Sequence, residues 1–130
     1  MAIPKKYAHI DFYPTKQMQK NASRGLELRE KGGGGGLTTR EAGEQNIGSG
    51  VARAVQLKYG RQLQPDTVRR MLAFFQRHKK NAKIDPGKKP EEDRGYVAWL
   101  LWGGDAGFTY ARRVGRQMDK ADESLGALCQ

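Results

Sequence analysis

The chain has 130 residues, with 24 Lys and Arg against 14 Asp and Glu, giving a formal net charge of +10. This length predicts one domain, residues 1–130, around a single core. The one cysteine, Cys129, excludes an intramolecular disulfide. No apolar run approaches the roughly 18 residues that a membrane span needs, and the first residues lack a signal-peptide core. We therefore expect a basic protein of the cytoplasm.

The N-terminal third is expected to be an arm, a helix and a loop. Residues 1–13 have no helical period and predict an extended arm whose aromatic side chains lie on the core. Pro14 suits the first turn of a helix that continues to Lys31. Within it, Gly25 lowers helix stability and indicates close approach of a neighbouring helix. The five glycines that start at Gly32 end this helix, and residues 32–46 predict a flexible loop without a Walker-type phosphate pattern.

Two helices are predicted in the middle of the chain. The first covers residues 51–59, ends at Gly60 and is expected to turn Val51, Val55 and Leu57 inward. The second begins at Pro65 and extends to about Lys80. Its apolar stripe has the spacing i, i+3, i+4 and i+7 of an amphipathic helix, and consists of Val68, Met71, Leu72 and Phe75.

The C-terminal third predicts two further helices. Residues 96–102 are apolar all round, which is typical of a helix in the centre of a fold. Gly103 and Gly104 end that helix, and Asp105 is expected to cap a last helix to about Ala121, with residues 122–130 as a frayed tail. The sequence thus predicts a compact all-α domain of about five helices.

The excess charge is concentrated in one segment. Residues 61–90 contain nine Lys and Arg against two Asp and Glu, whereas residues 91–130 carry a net charge of −2. A basic segment of this kind favours a surface for a polyanion, although a merely solvated face remains the alternative.

Nucleic acid is the polyanion that this basic segment fits best. Arginine offers a fork of donors that matches phosphate oxygens, and lysine adds a mobile point charge. About five phosphate contacts would give a log–log salt slope near −4.5 on duplex DNA. The connection between helices 51–59 and 66–80 is longer than in most helix-turn-helix motifs, so contacts to the backbone are favoured over base reading. The predicted binding residues are Arg69, Arg70, Arg77, Lys79, Lys80, Lys83, Lys88 and Lys89.

Other chemistry is weakly indicated. The two tryptophans could stack on bases, but their apolar neighbours favour core packing. His78 has no carboxylate or second histidine beside it in sequence, and His9 with Asp11 is an isolated pair. Four acidic residues fit helix starts better than a metal site: Glu91, Glu92, Asp93 and Asp105. We therefore expect no enzyme activity, no catalytic residue, no metal and no cofactor.

Several short motifs together resemble a known group of proteins. They are Arg24–Arg29 (RGLELR), Gly50–Ala54 (GVARA), Val68–Met71 (VRRM) and Ala98–Gly107 (AWLLWGGDAG). This combination resembles a small domain of uncharacterised function that recurs in genomes of tailed bacteriophages, especially phages of cyanobacteria and marine bacteria. The resemblance implies a viral protein that acts in the infected host cytoplasm or in the virion.

These observations favour a small, non-enzymatic phage protein that binds nucleic acid mainly through phosphates, with duplex DNA as the expected partner. Two alternatives stay open at this point. One is a virion structural or assembly protein that faces packaged DNA or the capsid. The other is an inhibitor that docks its basic helix on an acidic patch of a host protein. A membrane partner is not expected.

Overall fold

Five α-helices form the part of the chain that the computed structural model describes, residues 3–31 and 50–129, with side chains as far as residue 124. They are α1 (Lys16–Lys31), α2 (Gly50–Lys58), α3 (Pro65–Arg77), α4 (Arg94–Leu101) and α5 (Gly104–Cys129). Three short 3-10 helices, Lys5–Tyr7, Lys79–Ala82 and Pro90–Glu92, complete the described elements, which include no strand. The prediction of an all-α fold with about five helices is confirmed. The predicted loop at residues 32–46 lies outside the described residues.

Helix α4 is the centre of the fold, as its apolar sequence predicts. Asp93 caps its first turn by accepting a hydrogen bond from the Tyr96 N–H at 3.1 Å. Helix α1 packs closely against its end, because a Cβ at Gly25 would lie only 2.9 Å from the Leu101 backbone nitrogen. The glycine therefore allows the close helix contact that the sequence predicts.

The turn between α4 and α5 depends on two glycines. Gly103 and Gly104 have φ values of 109° and 64°, in the region that glycine occupies without strain. The Asn21 side chain of α1 donates a hydrogen bond to the Gly103 carbonyl at 2.8 Å and fixes the turn. Helix α5 begins at Gly104, so Asp105 lies in its first turn and is not the predicted cap; it accepts a hydrogen bond from Trp99 Nε1 at 2.9 Å.

The second half of the core is formed by α3 and α5. The predicted stripe of α3 is buried at Val68, Met71 and Phe75, and Pro65 starts the helix. The ring of Phe75 stacks on Phe108 of α5, with centroids 5.3 Å apart. These contacts fix the orientation of α3 against α5, and with it the directions in which the exposed side chains of α3 point.

Three predictions were wrong: the extended form of the N-terminal arm, the end of α5 and the inward position of Val55. The N-terminal arm is folded into turns and is not extended. The Tyr7 N–H donates a hydrogen bond to the Pro4 carbonyl, and the Ile10 N–H donates one to the Tyr7 carbonyl, so that each bond closes a turn. Helix α5 continues beyond the predicted end to Cys129, through the segment expected to be frayed. In α2 Leu57 is buried as predicted, together with Ala54, whereas Val51 is half-buried and Val55 is 39% exposed. That helix has a narrower buried face than its apolar residues suggest.

Candidate nucleic-acid interface

The structure divides the eight predicted cations into groups with different surroundings. Arg69 is directed toward α5, where its guanidinium lies 3.1 Å from Asp119 and 3.4 Å from Asp122. Asp122 also accepts a hydrogen bond from the Tyr7 hydroxyl at 2.8 Å and pairs with Lys6 at 3.0 Å. Arg69 thus belongs to a charge cluster that joins the N-terminal segment to α5. It is not the free phosphate-binding residue that the sequence predicts.

The lysines that follow α3 lie in mixed surroundings. Lys88 pairs with Asp85 at 3.6 Å, and both side chains are at least half exposed. An open depression of about 530 Å³ is lined by three cations, Lys80, Lys88 and Arg94, together with three carboxylates. Its acidic members are Asp85, Glu92 and Asp93. Lys83 and Lys89 are exposed, and within the described residues neither forms an ion pair. The loop therefore presents alternating charge and no uniformly basic surface.

Lys79 lies beside an aromatic ring of α5. Its Nζ is 5.9 Å from the centroid of Phe108, and Arg112 lies over the same ring at 4.5 Å. Cations at these distances are attracted by the ring face. Arg112 was not among the predicted residues, because its closeness to Lys79 depends on how α5 packs against α3.

Arg70 and Arg77 lie on the other flank of α3, away from α5. Both are exposed, and helical geometry places them on the same side as Phe74, within about 60° of it. Phe74 stacks on Trp102 with centroids 4.7 Å apart and ring planes 13° apart. The His78 ring also contacts Phe74, with ring centroids 4.8 Å apart.

Arg53 of α2 completes this arrangement. Its guanidinium carbon lies 5.7 Å from the centroid of the Trp102 ring. A continuous row therefore extends from α2 through the end of α4 to the end of α3. We call the surface that this row forms with the two flanking arginines of α3 the stacked surface; its residues are Arg53, Trp102, Phe74, His78, Arg70 and Arg77.

The stacked surface has a charge that the described part of the chain does not neutralise. Arg53 is half-buried, its Nε is buried without a hydrogen-bond partner, and Nη1 donates to the Gln56 side chain. Burial lowers the pKa of the Arg53 guanidinium, and the nearby charge of Arg70 lowers this pKa further. Among the described residues no carboxylate forms an ion pair with Arg53 or Arg70. Two adjacent cations of this kind gain stability from a bound anion.

Four members of the stacked surface were not predicted as binding residues: Arg53, Phe74, His78 and Trp102. One signal was available, since Arg70, Phe74 and His78 recur every four residues and must share a flank of α3. The other two residues come from α2 and α4, so their position follows from helix packing alone. The prediction that the tryptophans pack with the core is confirmed for Trp99, which is 3% exposed. Trp102 is half-buried, and its ring contacts both Arg53 and Phe74.

Other kinds of site find little support in the described residues. No group of three or more His, Cys, Asp or Glu side chains there could hold a metal ion. Of the described helices, none has the length and apolar character required to cross a membrane. Comparison with known proteins found no matching family model, curated protein or solved structure. The phage resemblance therefore stays a prediction.

Proposed function

We propose that the protein binds duplex nucleic acid through its stacked surface, with arginine contacts to the phosphate backbone as the main source of affinity. The observation that carries this proposal is the contrast between two consecutive arginines. Arg69 is paired with carboxylates of α5, whereas Arg70, whose charge helps to lower the pKa of the half-buried Arg53, has no acidic partner among the described residues.

The geometry of α3 suits a regular row of phosphates. Arg70 and Arg77 are separated by two helical turns, an axial distance of about 10.5 Å. Successive phosphates of one strand rise by about 3.4 Å along the duplex axis and also wind around it, so their direct separation exceeds this rise, and flexible arginine side chains at this spacing can reach nearby phosphates of one strand. The two guanidinium groups can therefore contact one strand at the same time without any change in the helix.

The aromatic row supplies rigidity. Phe74 and Trp102 are half-buried and in contact with the core, so their exposed edges cannot enter a base stack without unpacking α3 from α4. Their role in this proposal is to hold Arg53 in place over Trp102, which reduces the entropy that the guanidinium loses on binding. Affinity would then depend weakly on base sequence, because phosphate contacts carry no sequence information directly.

Salt dependence tests the proposal. Three arginine contacts predict a log–log slope of about −2.7, equivalent to about a 40-fold loss of affinity between 50 and 200 mM salt. The double variant Arg70→Ala/Arg77→Ala should reduce the steepness of this slope by about 1.8. The measurement is a fluorescence anisotropy titration of a labelled 15-base-pair duplex at four salt concentrations.

A charge-matched variant provides the control. Arg116→Ala/Lys120→Ala removes the same two charges from an exposed side of α5 and should change the slope by less than about 0.5. The proposal fails if the wild-type protein does not bind the duplex, or if binding is insensitive to salt. It also fails if both double variants lose affinity equally, since the effect would then be one of total charge.

A further inference from the structure

A second basic surface lies between α1 and α2, outside the region that the sequence analysis singled out. An open depression of about 630 Å³ is lined there by four cations and one carboxylate. The cations are Lys16, Lys20, Arg24 and Lys58, and the carboxylate is Glu27. Glu27 lies 3.7 Å from Arg24, but both side chains are more than half exposed, so this pair is weak. Three lysines of the depression remain available to phosphates.

One exposed aromatic side chain, Tyr59, is next to this depression through Lys58, which lines it. Tyr59 is 65% exposed and follows Lys58, whose Nζ is 5.8 Å from the centroid of its ring. Val55, one turn earlier in α2, is 39% exposed, and Tyr13 is 54% exposed. These three are the large hydrophobic side chains that are exposed in the described chain. Tyr59 thus contributes little to the core, and its ring is accessible to a ligand.

The two basic surfaces lie on opposite flanks of α2. Arg53 and Lys58 are five residues apart, which places their side chains about 140° apart around the helix axis. The buried residues Ala54 and Leu57 lie between them. A duplex on the stacked surface would therefore leave the depression and Tyr59 accessible.

We infer that the depression and Tyr59 form a second binding surface, for single-stranded nucleic acid. A lysine-lined groove beside an exposed aromatic ring is the combination that holds unpaired nucleotides, because the phosphates follow the cations while a base stacks on the ring. A duplex does not suit this surface, since its bases already stack on each other and present no free face to the tyrosine. The inference goes beyond duplex binding and depends on different residues.

The test compares a labelled dT15 strand with the labelled 15-base-pair duplex, at one salt concentration, by fluorescence anisotropy. Tyr59→Ala should weaken dT15 binding about 5- to 150-fold, the range for loss of one base–aromatic stack. Its duplex affinity should stay within twofold of the wild type. Tyr59→Phe keeps the ring and should bind dT15 like the wild type. Lys16→Ala/Lys20→Ala should also weaken dT15 binding selectively.

Failure of this inference and failure of duplex binding give different results. If Tyr59→Ala binds dT15 within twofold of the wild type, or if the wild type does not bind dT15, the second surface is refuted whatever the duplex affinity. If Arg70→Ala/Arg77→Ala loses the duplex but keeps dT15, both surfaces are supported. If the wild type binds dT15 through Tyr59 but does not bind the duplex, the inference is upheld and the proposed function is not. Circular dichroism melting checks that the exposed Tyr59 can be replaced without unfolding.

Discussion

Replacement of Arg53 by methionine separates stability from binding. Methionine keeps an unbranched apolar side chain over Trp102 and removes the charge, the unpaired Nε and the repulsion from Arg70. If the function of Arg53 is to bind an anion, this change should reduce nucleic-acid affinity and lower the free energy of unfolding by no more than about 1 kcal/mol. If Arg53 only stabilises the fold, the same change should lower the free energy of unfolding and leave nucleic-acid affinity unchanged.

The magnitude follows from opposing contributions. An unsatisfied buried N–H costs about 1–3 kcal/mol, and Arg53→Met removes that cost. The variant loses the cation–π contact, about 0.5–1 kcal/mol, and the hydrogen bond to Gln56, about 1 kcal/mol. The net change therefore lies between about 1 kcal/mol against the variant and about 1.5 kcal/mol in its favour, which places its Tm between about 4 °C below and about 6 °C above that of the wild type.

Two assays decide the outcome for Arg53→Met. Thermal melting followed by circular dichroism should give a Tm no more than about 4 °C below that of the wild type. Anisotropy titration of the duplex should show a salt slope less steep by about 0.9, for one lost phosphate contact. A fall in Tm of more than about 4 °C together with an unchanged slope would show that Arg53 is a structural residue, and would refute the reasoning.

Three further outcomes are expected. Gly25→Ala should destabilise the protein by about 1–3 kcal/mol, seen as a lower Tm, because its Cβ would lie 2.9 Å from the Leu101 nitrogen; an unchanged Tm would contradict the close helix contact. The hydrogen bond from Tyr7 and the nearby cations lower the pKa of the Asp122 carboxyl, so its contribution to stability is present above about pH 4 and is lost as the pH falls through the lowered value. Asp122→Asn should therefore have a smaller fall in Tm between pH 5 and pH 2 than the wild type, and an equal fall would argue against this role. Arg69→Ala should leave the salt slope of duplex binding within about 0.3 of the wild type, because this arginine is already paired; a loss equal to that of Arg70→Ala would contradict the assignment.

Periodicity predicted the fold well, because each helix carries its own buried stripe. The spacing of Val68, Met71 and Phe75 fixes the inner side of α3, and the apolar run of α4 indicates its central place. A glycine within the α1 pattern, Gly25, predicted a close helix contact, and its partner is Leu101 of α4. The prediction that Val55 faces inward was wrong because α2 packs with a single narrow face, formed by Ala54 and Leu57, and Val55 lies outside that face.

The candidate site was harder to predict, because it depends on which helices are neighbours. Arg69 and Arg70 are adjacent in sequence and equally basic, yet only Arg69 meets carboxylates, and these lie 50 and 53 residues further along the chain. Arg53 and Trp102 come together only when α2 packs beside the end of α4. Charge counts located the basic segment, but they contain no information on which of its cations are neutralised.

Two-dimensional nitrogen–proton NMR of the tryptophan indoles tests the central claim most directly. Trp102 lies in the stacked surface, whereas the Trp99 indole is buried and donates to Asp105. On titration with an unlabelled 15-base-pair duplex, we expect the Trp102 indole resonance to shift and the Trp99 indole resonance to remain unchanged. A Trp102 resonance that does not move while the duplex binds would show that the nucleic acid contacts another face of the molecule.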